Sequence, residues 1–257
     1  MVEANTSDGK VDPINNVKVF FSFLLIGAAL ALVVGFFLRI DEIASADSKS
    51  EVSDKLQQIG LAFHAFHQTN GALAFPRVMD VKVMNPNKRP RPTELSWRVH
   101  LLPFIQQRAL YEKFHLDEPW DSPHNLPLAD SMPEVYRLAG TAENETRFRV
   151  LCGPGMLFGQ TTAPRLRDCP DGLRHTILSV LVGSDAATLW TKPDDIVIDP
   201  KNPLAALGTN PNSFIACVMG DAKLLLLPTD VEASEFLAFA TPSGGEVVDA
   251  DRYRRSP

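Results

Sequence analysis

Two apolar patterns of different period dominate the first third of the chain. From Val19 to Leu38 the sequence reads VFFSFLLIGAALALVVGFFL, twenty residues without a charge, between Lys18 and Arg39. At about 1.5 Å per residue such a run matches the roughly 30 Å hydrocarbon thickness of a bilayer. A polar tail over 1–18 and a transmembrane helix over 19–40 are therefore expected, with residues 19–38 in contact with the lipid bilayer. A core helix is rarely apolar on every face, and the apolar region of a cleavable signal peptide is shorter and ends in a small-x-small site. The second pattern is periodic: Val52, Leu56, Ile59, Phe63 and Phe66 follow one another at steps of four, three, four and three. That stripe predicts a helix buried on one face, opened by a Ser48–Glu51 capping box and stopped at Asn70-Gly71.

Further on the pattern is broken more often. Residues 76–93, rich in Pro, Arg, Lys and Asn, predict an exposed loop, and Pro103 to Phe114 a second helix with its proline in the first turn. Leu116 to Pro133, with four prolines, predicts an irregular but ordered excursion. Strand candidates follow at Phe148–Cys152, His175–Val182, Ile196–Ile198, Ser213–Met219 and Lys223–Leu227. The last two are joined by Gly220-Asp221, which predicts a two-residue type II′ hairpin with positive φ at the glycine. A Thr229–Glu232 capping box predicts a final helix over Ala233–Ala240, and residues 250–257 read as a tail.

Composition narrows the function classes more than the fold. The chain has 257 residues, 45% hydrophobic and 22% charged, and a net charge of −6 with no Lys/Arg-rich stripe. It is long enough to bury a core, and a nucleic-acid partner is not expected. Cys152, Cys169 and Cys217 form no zinc spacing; small buried hydrophobes are the expectation, with a Cys152–Cys169 bridge as the alternative in an oxidising compartment. Lys10 and Lys18 before the span nearly balance Arg39, Lys49 and Lys55 after it, so charge bias alone does not orient the chain.

Three blocks carry a family resemblance: Leu56-Gln57-Gln58-Ile59-Gly60-Leu61-Ala62-Phe63-His64 with His67, then LSWRVHLLPFIQQRALYEKFHLDEPWDSPHN over 95–125, then Trp190-Thr191-Lys192-Pro193. Together they resemble the large bacterial family called domain of unknown function 1559, over about residues 51 to 249. The resemblance implies an α+β fold like that of type IV pilins and type II secretion pseudopilins. In it an N-terminal transmembrane helix leads into a long soluble helix packed on an antiparallel β-sheet, here the pilin-like soluble domain 48–249. It also implies a soluble domain on the extracytoplasmic side of the cell inner membrane. Two departures stand out. The Gly and Glu of a prepilin signal are missing from Pro13-Ile14-Asn15-Asn16-Val17-Lys18, and the family's C-terminal His, nine residues, Asp-Gly signature is degenerate, with Asn210 and then Gly220-Asp221. The first turns the span into a permanent anchor rather than a substrate for prepilin processing.

Candidate chemistry is sparse. His64 and His67, three apart on one helix, have the spacing of a metal pair, but no third ligand can be named beside them and a packed or hydrogen-bonded role is expected. Asp168 and Asp171, with Gly172, are calcium candidates by analogy with the C-terminal loop of major pseudopilins; the competing reading is a turn, the usual use of Asp-Gly. The acids Asp194, Asp195 and Asp199 are expected in a solvated loop. Ser184-Asp185 belongs to no triad, and Gly153-Pro154-Gly155 lacks the lysine of a phosphate loop. The densest polar cluster is Glu118, Asp121 and His124 around Trp120, where acids capping a proline-pinned loop compete with acid–base chemistry.

The expectation is thus a non-catalytic, single-pass, envelope protein of structural or interaction type, not an enzyme, with no cofactor, no resident metal and a secretion-type or other envelope assembly as its partner. A ligand-binding or sensory module with Trp120, Asp121, His124 and Trp190 around a pocket rim is the alternative, and a membrane-bound hydrolase the third reading.

Overall fold

The computed structural model describes residues 49–75, 95–159, 163–209, 214–246 and 248–254. The membrane run Val19–Leu38, Ser48, the loop 76–93 and Asn210 lie outside them. Among the described residues no helix is long and apolar enough to cross a membrane. Residues Glu51–Pro257 form one compact unit.

The first helix, α1 (49–70), follows the apolar stripe: Val52, Leu56, Ile59, Phe63 and Phe66 are all buried. Its end is closed by Gly71, at φ +74, whose N–H reaches the His67 carbonyl oxygen at 2.8 Å. Beyond it come α2 (Trp97–His100), a 3-10 turn over Leu102–Ile105 and α3 (Arg108–Tyr111). The single helix expected over 103–114 is thus broken. Gln106 sits in the left-handed region at φ 63 and ends the 3-10 turn, so the α-helical ladder restarts only after Gln107.

The strands are β1 (Glu145–Thr146), β2 (Phe148–Arg149), β3 (Leu151–Cys152), β4 (Ile177–Leu181), β5 (Thr188–Leu189), β6 (Ile196–Val197), β7 (Phe214–Met219) and β8 (Leu224–Pro228), followed by α4 (Ala233–Ala240). An antiparallel sheet of order β2-β4-β7-β8 forms the centre; β1 pairs antiparallel with β5, and β3 pairs parallel with β6. The fold is therefore α+β, with a helix and antiparallel sheets. The expected Phe148–Cys152 strand divides at Val150, whose N–H leaves the ladder to reach Asp195 Oδ1 at 3.1 Å, while its carbonyl oxygen accepts from Ile196.

Strand β7 shows how the layers are made. Ala216 and Val218 point into the core that holds the α1 stripe, and Ile215, Cys217 and Met219 into a second core with Phe236 and Phe239 of α4. A strand covered on both faces reads as a continuous apolar run, which is why FIACVM shows no polar alternation. At Gly60 α1 passes close to the β7–β8 hairpin. A Cβ there would lie 2.6 Å from Val218 Cγ2 and 3.2 Å from the Ala222 Cα, so only glycine fits this helix–hairpin contact.

The β7–β8 turn corrects the two-residue expectation. Ala222 N–H donates to the Met219 carbonyl oxygen, Met219 N–H to that of Lys223, and the positive φ falls on Ala222 at 59, giving a three-residue Gly220-Asp221-Ala222 loop. Gly220 serves a different purpose. Its missing Cβ makes room for Leu173, whose carbonyl oxygen would be 3.0 Å away. The Thr229 capping box is not formed either: the chain turns once more at Pro228–Val231, and Glu232 caps α4 without a side-chain bond.

Candidate functional site

A fully buried polar cluster is built on α2. Ser96 caps that helix, and Trp97 and Arg98 enter the core side by side, each fully buried, with the guanidinium 4.5 Å from the centre of the indole ring. Such an arginine must exhaust its donors. Arg98 Nε and Nη2 donate to the Phe148 carbonyl oxygen, Nη1 donates to Ser96 Oγ at 2.8 Å, and Nη2 lies 3.3 Å from Asp195 Oδ1. Tyr136 adds a bond from its hydroxyl to the Arg98 carbonyl oxygen at 3.1 Å.

Asp195 answers from the far side. Its side chain is 1% exposed, which overturns the solvated-loop expectation for this residue. Oδ1 accepts from Trp97 Nε1 at 3.2 Å and from Val150 N at 3.1 Å, and Arg149 Nε stands 3.7 Å away. Its neighbour Asp194 is exposed and meets Lys192 at 3.2 Å. Burial pulls the Arg98 guanidinium down to about 10 against the opposing pull of Asp195. Burial likewise raises Asp195 above the usual carboxylate range, against Arg98 and Arg149. In both groups the loss of water outweighs the partner, which is the ordinary balance for a buried ion pair. The cluster ties α2, β2 and the loop before β6 together, and a carboxylate this enclosed meets no solute unless the fold opens.

The loop with the predicted binding residues lies on the surface beside that core. Its organiser is Asn125, fully buried: Oδ1 accepts from His115 N at 3.0 Å, and Nδ2 donates to the carbonyl oxygens of His115, Glu118 and Pro119 at 2.9, 3.2 and 3.1 Å. Around it His115 and His124 stack with ring centres 3.4 Å apart, His115 Nδ1 meets Glu118 Oε1 at 2.9 Å, and His124 Nε2 donates to the Lys113 carbonyl oxygen. The bond to His115 is the main cause that holds the Glu118 carboxyl below its ordinary range. Trp120 is half-buried against the core with Lys192 Nζ 5.8 Å from its ring, and Asp121 is exposed.

Trp190 is not a rim residue. It is fully buried, donates to the Ala129 carbonyl oxygen at 2.8 Å, and packs on Tyr136 and Phe114. The two indoles therefore do not share an exposed edge. Asp168 and Asp171 are also apart in their bonding: Asp168 Oδ2 accepts from Arg165 N, and the Asp171 carboxylate accepts from Gly245 N at 3.1 Å. Among the described residues no three His, Cys, Asp or Glu side chains gather at metal-binding distance. His64 and His67 bond instead to Gly220 and to the Leu166 N–H. Asp185 receives the Thr209 N–H at 2.8 Å, and that bond is the main cause of its lowered pKa. Cys169 and Cys217 are buried, Cys152 is half-buried, and none of the three forms a disulfide bond.

The Arg98–Asp195 cluster did leave a trace in the sequence. An arginine inside LSWRVHLL, with apolar residues on both sides, asks for a buried counter-charge, and Asp195 sits immediately before the Ile196–Ile198 strand candidate. What spacing does not reveal is that residues 97 apart meet.

Residues 51–139, from α1 through the Asn125 loop to the turn at Glu134–Tyr136, match the family model described as "Protein of unknown function (DUF1559)". No curated protein and no solved structure matches the chain. Over residues 51–139, about a third of its length, the chain is similar to the DUF1559 family, and the LQQIGLAFH and LSWR…DEPWDSPHN blocks fall inside that match.

Proposed function

We propose that this is a single-pass membrane-anchored, pilin- or pseudopilin-like protein of the cell inner membrane, whose domain lies on the extracytoplasmic side and has a structural or interaction role rather than a catalytic one. The observation that carries this reading is the uncharged Val19–Leu38 run placed just ahead of α1, the helix whose apolar stripe packs on an antiparallel sheet. Further support comes from how the polar groups are spent. Arg98, Asp195 and Asn125 are enclosed and bonded to backbone or to one another, and the imidazoles of His64 and His67 bridge α1 to neighbouring loops. That is how a framework domain uses such residues; its contacts with an envelope assembly would fall to the exposed acids and the half-buried Trp120 of the 115–125 loop.

The anchor is tested by alkaline carbonate extraction of membranes from expressing cells, with external protease added to spheroplasts. The full chain should stay in the membrane pellet, its domain should be degraded by protease, and a variant lacking residues 1–40 should be released. Carbonate-soluble full-length chain would overturn the anchor, and a protease-resistant domain the orientation. Co-purification of envelope assembly proteins from detergent extracts tests the partner class, and a chain that repeatedly comes out alone counts against it.

A further inference from the structure

Near its end α1 carries two imidazoles one turn apart, and their hydrogen bonds run in opposite senses. His64 Nε2 lies 2.7 Å from the Gly220 carbonyl oxygen, so this nitrogen donates, and it donates whether or not the ring holds a second proton. His67 Nε2 accepts, from the Leu166 N–H at 3.4 Å. An imidazole nitrogen accepts only while it is unprotonated.

Among the described residues, 163–168 are tied to the end of α1 by the Leu166 bond and to Leu73, just beyond that helix, whose N–H donates to the Pro164 carbonyl oxygen at 2.8 Å. Within the segment the 3-10 turn Leu166–Asp168 closes on itself, with Arg165 N–H on Asp168 Oδ2 and Asp168 N–H on the Arg165 carbonyl oxygen. It can therefore leave α1 as a unit, keeping its own bonds. Ala163 and Leu166 press its apolar side against the core.

We propose that His67 is an acid-released latch, which holds residues 163–168 on the end of α1 while its ring is neutral and lets them go when the ring takes a proton. Protonation replaces the acceptor with an N–H that faces the N–H of Leu166. It also sets a positive charge against Arg165 of the same segment and beside His64 of its own helix. Asp168 is the facing group that favours the cation, and its carboxylate is already engaged by Arg165 N–H. Burial, then His64 and Arg165, hold the His67 pKa below its ordinary value. For a histidine with a depressed folded value the latch is complete at and above the ordinary imidazole range and is lost as pH falls below it. Release takes Ala163 and Leu166 off the core and bares an apolar patch at the end of α1 in acid.

The test is hydrogen exchange of the Leu166 amide in the full chain at about pH 7.5 and about pH 5, expressed as a protection factor so that the intrinsic pH dependence of exchange divides out. In the wild type the factor should fall by about tenfold on acidification, the ratio that one hydrogen bond of ordinary strength gives. His67→Gln supplies a side-chain oxygen that accepts the same N–H without titrating, and should stay protected at both values. His67→Ala should be unprotected at both. A wild-type factor unchanged at the lower pH overturns the latch, as does a Gln variant that loses protection along with the wild type. Should either variant fail to fold, the wild-type comparison decides alone.

Discussion

Replacing Asp195 by leucine should come close to unfolding the domain. The side chain is 1% exposed and its Oδ1 serves Trp97 Nε1 and Val150 N as well as the Arg98 guanidinium, which is itself fully buried. Breaking a buried ion pair from one side costs roughly 3–5 kcal/mol, and each buried N–H left without an acceptor roughly 1–3 kcal/mol more. These costs overlap, so about 4–6 kcal/mol is expected, a large share of the roughly 5–15 kcal/mol that holds an ordinary domain together. Arg98→Met alone should cost about 3–5 kcal/mol, because it strands the carboxylate instead. In both groups burial outweighs the partner's pull, so removing both charges should hurt less than removing one. The double variant R98M/D195L should therefore be more stable than D195L by about 1–3 kcal/mol, a non-additivity that distant sites do not show. Urea denaturation followed by tryptophan fluorescence measures all three, since Trp97 and Trp190 are both buried. The reasoning fails if D195L lies within about 1 kcal/mol of the wild type, or if the double variant costs the sum of the single ones.

Gly60→Ala should lower the melting temperature, at a cost of about 1–3 kcal/mol, since its methyl group would stand 2.6 Å from Val218 Cγ2; adding Val218→Ala should recover part of the loss. Burial brings His100 down to about 4 from an ordinary 6.5, so the native state keeps this ring neutral. The associated stability is whole above about pH 6.5 and is lost as pH falls towards about 4, by up to about 3 kcal/mol; denaturation midpoints of wild type and His100→Gln should diverge across that window, and parallel curves would refute it. Asn125→Ala removes one acceptor and three donated bonds at a buried site. It should cost about 2–4 kcal/mol and open residues 115–125 to limited proteolysis, while the Trp97 and Trp190 environments stay as they are.

The elements that the sequence disclosed well are those fixed by local periodicity. The stripe from Val52 to Phe66 and its Gly71 stop needed only the helical repeat, and the Ala233–Ala240 helix likewise appears where its pattern lies. Where one backbone torsion or one distant side chain decides, the local pattern misleads. Gln106 in the left-handed region divides a helix that otherwise scans well, and the Asp195 carboxylate takes the Val150 N–H and divides a strand. Short pairs such as β1 and β5 carry no signal of their own, since two residues cannot display a period. Trp190 stands out in the sequence through the Trp190-Thr191-Lys192-Pro193 block and is expected at a pocket rim, but it lies in the core, because Tyr136 and Phe114, both far away in sequence, enclose it.

The link between Arg98 and Asp195 also bears on what can be cut from this chain. The family match ends at residue 139, yet the charge on Arg98 is balanced by a residue well beyond that boundary and its donors end on Phe148. A fragment stopped at 139 would carry a bare guanidinium and a Trp97 indole N–H in the middle of an apolar surface. It should aggregate rather than fold, whereas any shortened version that reaches past β6 retains the counter-charge. For the same reason a change at position 98 in a related chain should be accompanied by a change at position 195, so that two stretches far apart in sequence are inherited as one electrostatic unit.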